Sequence, residues 1–72
     1  MVEVFLKEVG HNLREARKHA GLRQVEMETL CGVTYRHYQN IEAGRVNVTL
    51  QTLWRLASAL GTSVADLTRT RA

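Results

Sequence analysis

Tyr35, Arg36, Gln39 and Asn40 lie within the stretch QVEMETLCGVTYRHYQNIEAG, residues 24–44. Residues three and four apart share one face of a helix, so these four side chains present hydrogen-bonding groups together. A guanidinium such as that of Arg36 can bind O6 and N7 of a guanine at once, and the amides of Gln39 and Asn40 can pair with adenine or face a phosphate. Tyr35 could pack on a thymine methyl or bond a phosphate. The chemistry on offer is recognition of base-pair edges in a major groove.

Elements that would hold such a face are legible around it. Phe5, Val9, Leu13, Ala16 and Ala20 form one helical stripe, predicting a first helix from about Val2 or Glu3 to Ala20, with Gly21 as its stop. Gly10 inside it should cost up to about 1 kcal/mol relative to alanine, with no compensation visible in the sequence. A second helix is expected over Gln24–Cys31, burying Val25, Met27 and Cys31 and partly covering Leu30, with Arg23 where a capping Ser or Thr would serve better. Gly32 ends it in a left-handed turn. Thr34 caps the third helix, whose inner face is Tyr38 and Ile41 with Val33 packed before the cap, and Gly44 stops it. Thr49 caps a fourth helix with the stripe Leu50, Leu53, Leu56, Ala57 and Leu60, ended by Gly61. Ser63 and Asp66 resemble a capping box opening a short fifth helix, Val64 to about Thr68. The expectation is an all-α, five-helix single domain over residues 1–72.

These features resemble the helix-turn-helix domain of the lambda-type phage repressors and their XRE-like bacterial relatives. The resemblance rests on LREARKHAGLRQ, the Gly32 turn, NIEAGR, VNVTLQTLWRLASALG and SVADL, and spans about Val9 to Leu67. IEAGRVNVTL is closest in flavour to the small controller proteins of restriction–modification systems, lone domains that dimerise and regulate their own operon. The resemblance implies base contact by Tyr35, Arg36, Gln39 and Asn40. It implies phosphate contact by Gln24, Thr34, Arg45 and Asn47, with Arg23 joining them. It also implies a partly buried ion pair between Arg17 and Glu42. One departure is Glu28, where the family nearly always has alanine at a tight helix crossing. Either its carboxylate bonds a neighbour such as Tyr35 or His37, or the crossing is looser.

Charge and composition bound the remaining classes. The net charge is +3 over 72 residues. Acids and bases balance up to residue 30, whereas Arg36, Arg45, Arg55, Arg69 and Arg71 then face only Glu42 and Asp66, an excess that suits a polyanion. A lone cysteine, Cys31, excludes an internal disulfide and a Cys-rich zinc site, and His11, His19 and His37 are too dispersed to hold a metal. Ser58 and Ser63 lack a nearby base, so no enzyme is expected, and neither is a cofactor or small-molecule effector. No run reaches the ~20 apolar residues of a membrane span, which points to the cytosol.

Trp54 flanks the apolar stripe of the fourth helix. Either it packs on the first or fifth helix, or it joins Val64 and Leu67 in an exposed apolar dimer surface. The function expected is transcriptional regulation by a homodimer on a palindromic double-stranded DNA operator. The alternative is an antitoxin-type or other protein-binding module with secondary DNA binding, although Thr68–Ala72 is short and polar for that role.

Overall fold

Hydroxyl caps and glycine stops divide the chain into helices in the computed structural model, which describes residues 1–70. The helices are α1 (Val2–His19), α2 (Glu26–Cys31), α3 (Tyr35–Glu42), α4 (Leu50–Leu60) and α5 (Val64–Leu67). Among the described residues there is no strand. Arg71, one of the C-terminal cations, lies outside them.

Three of the helix starts are set locally. Thr34 Oγ1 accepts from the His37 N–H at 3.2 Å, Thr49 Oγ1 from Thr52 N–H at 3.1 Å, and Ser63 Oγ from Asp66 N–H at 3.0 Å. Each satisfies a backbone donor that the helix itself cannot. Asp66 does not complete a capping box: its carboxylate accepts from Thr62 and pairs with Arg69.

α2 begins two residues later than expected. Arg23 and Gln24 form a turn whose carbonyls accept from Glu26 N–H and Met27 N–H, each at 3.1 Å. Arg23 offers no cap, so the helix is fixed from the other side: the Glu26 carboxylate accepts from the Arg23 N–H at 2.7 Å. That leaves Val25 47% exposed, and Leu30 is also outside the core. Gly32 ends α2 at φ 72°, in the left-handed region.

The largest fully buried side chains are Leu13, Met27, Tyr38, Leu56 and Leu67, one from each helix. No helix is therefore a passenger, because removing any of them would open the same core. α1 packs on α3 and α5, and α2 on α3 and α4. Asn12 fastens the last element, its Nδ2 donating to the carbonyls of Leu67 at 3.0 Å and Arg69 at 2.9 Å. The predicted stripes fail at their ends: Phe5 and Ala20 are exposed, and Leu50, at the first turn of α4, is 76% exposed.

Gly10 is explained by contact. A Cβ placed on it would lie 2.2 Å from the Glu42 carbonyl oxygen and 2.8 Å from that of Ile41. The α1 backbone runs directly against the end of α3, and only glycine leaves room. That approach brings Arg17, two turns further along α1, to Glu42.

Candidate nucleic-acid interface

Thr34 and the Gly32 turn aim α3 so that Tyr38 and Ile41 face inward and Tyr35, Arg36 and Gln39 face solvent, with Asn40 half-buried. Arg36, Gln39, Asn40, Gln24 and Arg45 line one shallow groove. A second groove beside it joins Gln24 and Gln39 to Tyr35, Arg23 and Arg14. Seven of the nine residues expected to touch DNA thus share one continuous surface. Thr34 and Asn47 are exposed but line neither groove. Arg14 was not anticipated. Its signal was present, because it lies three residues before Arg17 and so on the same side of α1.

Under this surface lies a buried ion pair. Arg17 Nε donates to Glu42 Oε2 at 2.7 Å and Nη2 to Oε1 at 3.4 Å, while Nη1 donates to the Leu22 carbonyl at 2.7 Å. Arg17 is only 8% exposed. Burial alone would raise the Glu42 pKa, but the bonds from Arg17 and Gln24, with the Tyr38 hydroxyl nearby, outweigh it and hold the carboxyl below its ordinary value. The Tyr38 hydroxyl is buried and makes no hydrogen bond of ordinary geometry. Burial first, and then the Glu42 charge, push its phenol well above the ordinary range.

Polar contacts continue from the pair to the surface. Gln24 Nε2 donates to Glu42 Oε1 at 2.9 Å, and Gln39 Nε2 donates to Gln24 Oε1 at 3.5 Å and to the Tyr35 hydroxyl at 3.0 Å. Glu28 resolves simply: its carboxylate accepts from the Tyr35 backbone N–H at 3.3 Å and remains exposed. A carboxylate at that place satisfies a free donor of α3 and complements its positive end.

Residues 13–67 match the helix-turn-helix family. This chain belongs to that family. The helix-turn-helix protein is 41% identical over 61 residues to the HTH-type transcriptional regulator y4dJ of Sinorhizobium fredii, covering 85% of this chain and 79% of that one. It is 32% identical to the restriction-modification controller protein C.AhdI of Aeromonas hydrophila, with a TM-score of 0.85, covering 90% of this chain and 94% of that one. The fold also occurs inside an enzyme: hydroxypropylphosphonic acid epoxidase from S. wedmorenis matches at TM-score 0.86 and 25% identity, and this chain spans 37% of it. The family and its curated relative place the helix-turn-helix protein among transcriptional regulators with a DNA-binding domain.

The expected apolar triplet of this helix-turn-helix protein is not one surface. Leu67 is 1% exposed, because α5 docks its last residue into the common core against α1. Trp54 is 63% exposed and is not covered by α1 or α5, and Val64 is half-buried. One turn before Trp54, Leu50 is exposed on the same side of α4. Cys31 is buried, and burial pushes its thiol pKa up, the reverse of what a reactive thiolate needs. Among the described residues no cluster of three or more His, Cys, Asp or Glu could hold a metal, and no helix is long and apolar enough to cross a membrane.

Proposed function

We propose that this protein is a homodimeric transcriptional regulator that reads a palindromic operator, in the manner of a restriction–modification controller acting on its own operon in the cytoplasm. The observation that carries the reading is the grouping of Arg36, Gln39 and Asn40 with Gln24 and Arg45 along one groove. The groove brings groups suited to base edges, on Arg36, Gln39 and Asn40, together with phosphate-seeking groups on Gln24 and Arg45. Glu42, the acid beneath this surface, is matched by Arg17, so it does not repel a polyanion. The similarity to a controller protein, at 32% identity and a TM-score of 0.85, supports that reading.

In this reading α3 enters the major groove, with Tyr35, Arg36, Gln39 and Asn40 toward the bases. Arg23, Gln24, Thr34, Arg45 and Asn47 bind phosphates, and Arg14 extends that set. A single α3 reads only a few base pairs, so two copies about 34–36 Å apart are required for a useful site. The exposed side of α4 bearing Leu50 and Trp54 supplies the dimer contact, with the half-buried Val64 of α5 as a further candidate.

A binding-site selection from random duplex DNA at moderate salt tests this. The expected result is an enriched two-fold symmetric motif that Arg36→Ala degrades. Weak binding only at low salt, with no motif, would overturn the reading.

A further inference from the structure

The contacts from Arg17 out to Tyr35 have a direction, and that direction reaches the base-reading surface. An ionised carboxylate can only accept hydrogen bonds. Glu42 takes both Arg17 contacts and the Gln24 amide, so the NH2 end of Gln24 must face it, at 2.9 Å. The Gln24 carbonyl is then turned toward α3. A donor is needed to meet it there, and Gln39 supplies one with its Nε2 turned inward, 3.5 Å from Gln24 Oε1 and 3.0 Å from the Tyr35 hydroxyl. A primary amide has two N–H groups, and these two contacts use both.

We infer that the Arg17–Glu42 pair fixes the polarity of Gln24 and Gln39, so that Gln39 offers a base only its carbonyl oxygen. Resting on the operator reading above, this makes Gln39 a reader of the exocyclic amino group. In the major groove that group is N6 of adenine or N4 of cytosine; guanine and thymine present acceptors there. The two-point pairing of glutamine with adenine needs an N–H for N7 as well, and that N–H is engaged with Tyr35 or Gln24. Gln39 therefore accepts adenine and cytosine alike. Tyr35 accepts from Gln39 and keeps its own O–H for an outward acceptor, a phosphate oxygen or the O6 or O4 of a base.

Tyr35 is thus a positioning residue for Gln39 as well as a contact. Removing its hydroxyl frees one Gln39 N–H, and removing the Gln24 carbonyl frees the other. Either change should restore the two-point pairing and narrow the choice toward adenine.

The experiment is binding-site selection with the wild type, Gln39→Ala, Tyr35→Phe and Gln24→Met, each checked for folding by thermal melt. Gln39→Ala should erase the preference at one operator position and so locate it. There the wild type should take adenine and cytosine within about threefold of each other, while Tyr35→Phe and Gln24→Met should favour adenine by about fivefold or more, the range of one added bidentate pairing. The inference fails if the wild type already selects adenine about tenfold over cytosine, or if Tyr35→Phe and Gln24→Met, both folded, leave the ratio unchanged. A motif that Gln39→Ala does not alter overturns it while leaving operator binding intact. Absence of any wild-type motif overturns the operator reading itself, and this inference with it.

Discussion

Arg17 and Glu42 form an ion pair beneath the candidate interface and touch it through Gln24. Each is buried and each has the other as its charge partner, so truncating one strands the other. Glu42→Gln should therefore lower unfolding stability by about 3–5 kcal/mol, measured by urea denaturation at neutral pH. The pH dependence follows from the direction of the Glu42 shift. Its folded-state pKa lies below the ordinary 4.5, so near that pH the unfolded chain binds the proton more readily. The contribution is complete above about 4.5 and is lost as pH falls through the lower folded value. A wild-type melting temperature that drops across that acid window, with a smaller drop in Glu42→Gln, is the expected pattern. At the exposed positions the cost falls on binding instead. Arg36→Ala should relax selectivity at one base pair by about 1–3 kcal/mol. Arg45→Ala should weaken all duplexes alike and reduce the log–log salt slope by roughly 0.9. Equal losses for both in a titration series would contradict that division of labour.

Apart from α1 the helices are short, and their placement depends on a few backbone approaches. α1 and α3 touch at Gly10, where even a methyl group would overlap the Glu42 carbonyl. Alanine is the better helix former by about 1 kcal/mol, yet Gly10→Ala is expected to destabilise, since pushing α1 away costs about 1–3 kcal/mol or more and separates Arg17 from Glu42. A raised denaturation midpoint in Gly10→Ala would show that the two helices can part freely. Thr34 acts at the same scale: its hydroxyl caps α3, and Glu28 covers the neighbouring Tyr35 N–H. The N-terminus of α3 is held by two side chains, one from its own cap and one from α2.

At the scale of the whole molecule, the exposed side of α4 bears on assembly. Leu50 and Trp54 are large, exposed and one turn apart. In a chain this small such a patch is costly in water unless it is covered. If it forms the dimer contact, Trp54→Ala should shift sedimentation toward monomer, make operator binding depend on a higher protein concentration, and weaken the concentration dependence of the melting temperature. A dimer unaffected by Trp54→Ala and Leu50→Ala together would place the contact elsewhere.

The sequence by itself determined what depends on residues within about four positions of one another. Thr34, Thr49 and Ser63 each cap through a residue three further on, and Gly32 and Gly61 end their helices in the left-handed region, so helix order was readable from types and spacing. The family resemblance was legible for the same reason, as LREARKHAGLRQ and NIEAGR are local strings. Tertiary structure decided what depends on how those helices cross. A helical stripe says which side is apolar but not how far the cover extends, so Val25 and Leu50 read as core and stand in solvent, while Leu67 read as surface and is buried. Gly10 was a cost with no reason until α3 was laid against it. The chain of bonds from Arg17 to Tyr35 joins residues up to 25 positions apart in sequence, and no periodicity encodes it. Hydrogen-bond direction passes through space from a buried carboxylate to a surface amide, and only the packed helices bring those groups within reach.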